Sequence, residues 1–295
     1  MNSRAAPVLA LIVMSILWGY GWVALKIGLL DAEPFKFTAL RMSLSAVCLL
    51  LMLRLSGRPL RPRRLPELIK LGLVQTSALF TLSTWAVHEG SAGRVAFLVY
   101  TMPFFTLLFA WPMLGERVRG IQWLSIIFAL IGMAAIIQPW HLHGSLLSNI
   151  LAVSAGVVWG LAAIMVKQLQ QREPMDLIAM TAWQMALGSI PLIAFSYWIP
   201  EAPIVWSMRF IGILFLVSVV ITACGWLLWV YALDKLQAGV AGMATLAAPP
   251  IAMLASAYHF GERPSTLETI GMGFIIAALM ALSVGAIRGM QKAES

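Results

Sequence analysis

The chain has 295 residues, 61% of them hydrophobic and 11% charged, with a net charge of +8 and a mean hydropathy of +0.89. A soluble globule of this size cannot be covered by so little polar surface, so the composition predicts an integral membrane protein. The positive balance reads as membrane orientation rather than as affinity for nucleic acid.

Ten apolar stretches lie between charged or turn-rich breaks, at residues 6–30, 34–55, 67–88, 92–113, 119–138, 146–170, 176–199, 206–232, 238–259 and 266–288. Each is near the ~17 to 25 residues that a helix needs to cross a bilayer, and none shows the strict alternation of a barrel strand. The first stretch runs through Trp18, Gly21 and Trp22 to Lys26 with no small-residue cleavage signal. It therefore reads as a retained span and not as a signal peptide. Arg41 lies two turns into the second span; it is expected to snorkel to the outer interface, the other reading being an anchor for an anionic group such as a carboxylate. The loop that follows carries Arg58, Arg61, Arg63 and Arg64, which suit anionic lipid headgroups.

The third span places Ser77, Thr81, Thr84 and His88 on one helical face with Phe80 beside them. The fourth carries Tyr100, Thr101 and a mid-span Pro103, and the ninth carries Thr245 with Pro249 and Pro250 at the matching depth. Proline in mid-span frees a backbone carbonyl, so paired interruptions point to a site near the membrane midplane. Trp159 and Gly160 lie in the sixth span, Trp183 and Gln184 in the seventh. Aromatics beside hydroxyls and amides make a wall suited to organic solutes with apolar and polar parts. The tenth span has Gly273, Ala277, Ala281 and Gly285 four apart, and the fifth has Ser125 and Ala129. Both are read as scaffold that packs through small residues, with a homodimer contact as the other use of the ladder.

Acidic residues are absent from the central turns of every span, which favours a facilitator or exchanger over ion coupling. His88 and His259 are the candidates for a proton relay. Cys48 and Cys224 read as small buried hydrophobes, with no disulfide framework and no metal spacing. Neither a Gly-x-Ser-x-Gly nor a His-Glu-x-x-His motif is present, which argues against an intramembrane hydrolase. No metal and no cofactor is expected. The expected partners are a small-molecule solute and membrane lipids, and the chain is expected to be a monomer or homodimer.

The chain also repeats itself. Trp18-Gly19, Lys26 and Glu33-Pro34 return as Trp159-Gly160, Lys167 and Glu173-Pro174. Ala92-Gly93, Pro103 and Gly115-Glu116-Arg117 return as Ala238-Gly239, Pro249 and Gly261-Glu262-Arg263, at a constant offset of 146. The expected units are residues 1–140 and 141–295. Five spans per copy force the copies into opposite orientations, and inverted repeats are a signature of alternating-access transporters. With the N terminus cytoplasmic, only Lys26, Lys36, Arg41, Arg94, Arg209 and Arg263 of the 20 basic residues fall outside, so both termini are predicted inside.

This duplicated order resembles the drug/metabolite transporter superfamily, specifically the ten-helix EamA-type exporters, over essentially the whole chain. Length and aromatic content are similar to the YddG-type amino-acid exporters. The resemblance implies an all-α polytopic protein of the bacterial inner membrane, with ten transmembrane helices around a central cavity formed mainly by spans one, three, four, six, eight and nine. It implies export of amino acids or related metabolites, the alternative being proton-coupled efflux of drugs or of nucleotide-sugar-like solutes. The residues expected at the solute are Trp18, Phe80, Thr81, Thr84, Tyr100, Thr101, Trp159, Trp183, Gln184 and Thr245. Gly19, Gly21, Pro103, Gly160, Pro249 and Pro250 are expected as helix breaks or gates.

Overall fold

The computed structural model describes residues 5–115, 118, 120–138, 146–172, 174–235 and 247–294. Among them all regular structure is helical. The first half contains α1 (Ala5–Gly28), α2 (Pro34–Leu55), α3 (Leu65–Leu71), π1 (Gly72–Ala78), α4 (Leu79–Glu89), α5 (Ala92–Val99), α6 (Met102–Leu114) and α7 (Ile121–Ile137). The second contains α8 (Leu146–Arg172), α9 (Leu177–Trp198), α10 (Met208–Phe215), π2 (Leu216–Cys224), α11 (Gly225–Lys235), α12 (Ala248–Phe260) and α13 (Thr266–Glu294). Six of the described helical stretches are long and apolar enough to cross a membrane, and Ile121–Ile137 and Thr266–Ala281 are shorter apolar helices. The protein is therefore a polytopic helical membrane protein.

Local chemistry sets the helix ends. Pro34 opens α2 after an extended Glu33, and the Glu201 carboxylate accepts from the free N–H groups of Phe35 and Lys36 at 2.8 and 2.9 Å. A remote side chain thus serves the donors that a helix start leaves unpaired. Asp176 caps α9 by accepting from Ile178 and Ala179, and Ser207 caps α10 through Phe210. Helices α6 and α12 end alike, on Gly115 at φ +72 and Gly261 at φ +66. This left-handed turn costs a glycine nothing and stops both helices at corresponding places.

Two stretches depart from α geometry at corresponding places. π1 and π2 end on Ala78 and Cys224, which are 146 residues apart. In each, a hydroxyl reaches the carbonyl five residues back: Ser77 to Gly72 at 3.4 Å and Thr222 to Val217 at 2.7 Å. Both also meet a neighbouring helix. Ser77 donates to the Gly188 carbonyl of α9 at 2.7 Å, and Ser45 of α2 donates to the Ser218 carbonyl of π2 at 2.9 Å. Such bulges widen the helix turn and often occur at functional sites.

Helices α7 and α13 pack side by side through small residues. Ser125, Ala129, Ile275 and Ala278 are all buried there. The predicted ladder of the tenth span is not the face used: Gly273 and Ala277 are exposed, and nothing lies within 4 Å of where a Gly273 Cβ would be. Two small-residue faces occur on this helix, and the one through Gly271, Ile275 and Ala278 carries the larger apolar groups into the contact. Large apolar side chains elsewhere face outward, including Tyr197, Trp198 and Met208 between α9 and α10. In water that exposure is unfavourable, whereas aromatics near span ends suit a membrane interface.

Candidate functional site

A half-open cavity lies between helices of both halves of the chain. Trp18, Gly21 and Trp22 of α1 line it with Arg41 of α2, Gln75 of π1 and Phe80 and Ser83 of α4. Tyr100 enters from the break between α5 and α6, Trp159 from α8, Thr222 from π2 and Trp226 from α11. A concave wall of apolar rings with a few polar groups is typical of small-molecule sites.

Backbone geometry explains how these rings meet. The α5–α6 break at Tyr100 and Thr101 directs Tyr100 into the cavity, where its ring sits edge-on to Trp159 with centroids 5.6 Å apart. Pro103 follows in the first turn of α6, where its missing N–H would have no helical acceptor anyway. Pro249 occupies the same place in α12. The α5–α6 break thus precedes Pro103, and both prolines lie in the first turn of their helices. Trp18 packs edge-on to Trp226 at 5.7 Å.

Gly19, Gly21 and Gly160 lie inside uninterrupted helices and are not breaks. Their use is close approach. A Cβ on Gly19 would fall 2.9 Å from the Ala248 carbonyl of α12, and one on Gly160 would fall 2.9 Å from the Thr106 amide of α6. The first and sixth spans thereby press against α12 and α6, the helices whose first turns carry Pro249 and Pro103.

Of the expected solute-facing residues, Trp18, Phe80, Tyr100 and Trp159 meet at the cavity. Thr84 is fully buried with an unpartnered hydroxyl, and Thr101 donates to the Leu98 carbonyl at 2.5 Å. Trp183 donates to the Leu60 carbonyl at 2.9 Å and packs against the Leu68, Leu71 and Ala162 cluster. Gln184 is buried beside π1, and neither it nor Thr81 lines the cavity. Thr245 lies outside the described residues, as do Glu116, Arg117, Glu173 and Ala238-Gly239.

His88 faces the carboxylates of Glu33 at 3.6 Å and Glu89 at 3.3 Å. His259 meets the Tyr20 hydroxyl at 3.2 Å. Neither histidine lines the cavity.

Arg41 differs from the snorkelling expectation. Its Nε and Nη2 donate to the Thr222 hydroxyl at 3.3 and 3.2 Å, and its Cζ lies 5.0 Å from the Phe80 ring centroid. The α2 face that carries it turns inward, so the guanidinium meets the cavity. Gln75, whose Oε1 is buried without a partner, and Trp226 also line the cavity. A strongly apolar span offered no sign of its inner face, although an isolated intramembrane cation was the available signal.

A second polar cluster ties helix ends together. Lys26 at the end of α1 pairs with Glu262, donates to the Gly90 carbonyl at 2.9 Å and sits 5.1 Å from the Phe260 ring centroid. Glu262 also accepts from Ser91 at 2.8 Å and from Ser256. Burial pushes the Glu262 carboxyl up, but the hydrogen bonds from Lys26, Ser256 and Ser91 outweigh it and hold the group below the usual glutamate range. The recurring Lys and Gly-Glu-Arg positions of the sequence are thus, in this instance, the two ends of one ion pair. At the same end, Arg209 holds Asp31 in a two-pronged contact at 2.7 and 3.0 Å.

A family model described as the EamA-like transporter family matches residues 5–138 and 146–284. An uncharacterized transporter of Bacillus subtilis (strain 168), YoaV, is 28% identical over 83% of this chain and 85% of its own. A probable amino-acid metabolite efflux pump of Escherichia coli (strain K12) is 25% identical over 94% of each chain. A probable terminal-alkyne amino-acid exporter of Streptantibioticus cattleyicolor is 25% identical over 93% of this chain and 92% of its own. One solved crystal structure superposes with a TM-score of 0.66 at 15% identity, over 97% of this chain and 98% of that one, which establishes a shared fold.

Proposed function

The chain belongs to the EamA-like transporter family, and from that membership we propose that it exports amino acids and related small metabolites by alternating access through the aromatic cavity. The cavity carries this reading: it is walled by Trp18, Tyr100, Trp159 and Trp226, from elements of both halves of the chain. The names of two relatives, an amino-acid metabolite efflux pump and an amino-acid exporter, point to the same solute class.

In this reading residues 1–140 and 141–295 are inverted five-helix halves that rock about the cavity, one end sealing as the other opens. The matched π stretches, the matched glycine C-caps and the Gly19 and Gly160 contacts support it. No carboxylate lines the cavity among the described residues, which favours a facilitator or exchanger. The distribution of basic residues supports cytoplasmic termini, and an inner-membrane relative of Escherichia coli supports a bacterial inner membrane.

The test is uptake of a radiolabelled amino-acid panel into liposomes that hold the purified protein, with and without a pH gradient. Saturable flux indifferent to the gradient is expected. Flux strictly dependent on the gradient would remove the facilitator, and no saturable flux of any amino acid or amino-acid derivative would remove the export reading.

A further inference from the structure

The charges of the cavity narrow the solute class, on the premise that the cavity is the transport site. We propose that, among the amino-acid-related solutes, it prefers those with one carboxylate, an apolar body and no free ammonium group over the free amino acids, and that Arg41 binds the carboxylate.

Arg41 is the one cation among the described lining residues, and no carboxylate lines the cavity with it. Other basic residues have acidic partners: Lys26 with Glu262, Arg58 with Asp176, Arg94 with Glu268 and Arg209 with Asp31. Arg41 has instead a single neutral oxygen, the Thr222 hydroxyl, shared by Nε and Nη2 at long distances. A guanidinium has five N–H donors in a planar fork, so three remain without a partner among the described residues. A charge held in an apolar, membrane-embedded cavity without a counter-ion is costly, and an incoming anion removes that cost.

The surroundings fix the geometry of capture. The Phe80 ring, 5.0 Å from Cζ, supports the guanidinium from one side. Thr222 holds one edge, which leaves the rest of the fork for the two oxygens of a carboxylate. Trp18, Trp22, Tyr100, Trp159 and Trp226 supply apolar rings for the body of the solute. A free ammonium finds only neutral groups there, such as Ser83 and ring faces, and shares the site with the like charge of Arg41. In a medium of low dielectric that repulsion counts against zwitterions and excludes cations. The preferred solutes are therefore N-acylated or deaminated aromatic and aliphatic acids.

Three probes that share a phenyl ring and differ in charge test this in proteoliposomes: N-acetyl-phenylalanine, phenylalanine and phenylethyl-trimethylammonium. Half-saturation for N-acetyl-phenylalanine should lie about 10-fold or more below that for phenylalanine, and the quaternary cation should not compete. Arg41→Gln should raise the N-acetyl-phenylalanine half-saturation about 10- to 100-fold and narrow its ratio to phenylalanine, with Arg41→Lys between the two. The ranking of the probes on the wild-type protein needs no variant to fold. Phenylalanine or the cation binding as tightly as the N-acetyl acid overturns the proposal and leaves the transport reading standing. So does an unchanged ratio in a folded Arg41→Gln protein. Saturable flux of none of the probes, nor of any amino acid, removes the transport reading and this proposal with it.

Discussion

Replacing Glu262 by Gln removes one charge at a point where α1, α5 and α12 meet. The carboxylate accepts from Lys26, Ser91 and Ser256, and the Lys26 and Glu262 side chains are 25% and 19% exposed. An exposed ion pair contributes at most about 1 kcal/mol, and breaking a fully buried one costs about 3–5 kcal/mol. The exposure lies between these limits, and the glutamine still accepts from the hydroxyls, so the expected loss is about 1.5–3 kcal/mol. At about 2–4 °C per kcal/mol, the unfolding midpoint in detergent should fall by about 3–12 °C at pH 7. The pH dependence has a definite sign. Because the folded carboxyl lies below the ordinary glutamate value of 4.5, its stabilisation is complete above that value and is lost as pH falls through the folded one. The midpoints of wild type and Glu262→Gln should therefore converge in acid. Lys26→Met should cost a similar amount, and the double variant little more than either single one. Equal midpoints at pH 7, or a difference that survives full protonation, would refute the reasoning.

Other substitutions separate the cavity from the scaffold. Trp159→Ala removes the ring that meets Tyr100 and should change the order in which solutes compete for uptake; an unaltered order in a folded variant would take Trp159 out of the site. Trp183→Phe loses the bond to the Leu60 carbonyl and should cost about 1 kcal/mol of stability, read as a lower unfolding midpoint, while leaving solute preference alone. Gly160→Ala places a Cβ 2.9 Å from the Thr106 backbone amide, so α8 and α6 must part; thermal unfolding should report a loss of about 1–3 kcal/mol. Gly273→Ala, on an exposed helix face, should leave the midpoint unchanged or slightly raised, and a clear loss would mean that the face is packed.

The apolar length of each stretch and the acidic residues confined to span ends made the membrane class legible before any coordinates. The matched motifs supplied the expectation of two related halves. Trp18, Phe80, Tyr100 and Trp159 were picked out as aromatics within spans, and they come together. Trp183 looked equivalent on the same grounds and Thr84 as part of a polar stripe, yet Thr84 is buried among helices and Trp183 is tied to a loop carbonyl. In the tenth span, two small-residue faces competed and the exposed ladder gave way to the face with Ile275 and Ala278.

Hydropathy and spacing thus determined that the chain crosses a membrane as apolar helices, because that property depends on transfer from water. The break between α5 and α6 and the continuity of α1 and α8 through their glycines came only with the structure. The direction of each helix face was decided only by tertiary structure. Nearly every side chain of a span is apolar, so the energy of facing lipid differs little from that of facing a neighbour. Close packing, the widened turns at π1 and π2 and a few hydrogen bonds break that tie, and they are what turn Arg41 from the interface to the cavity.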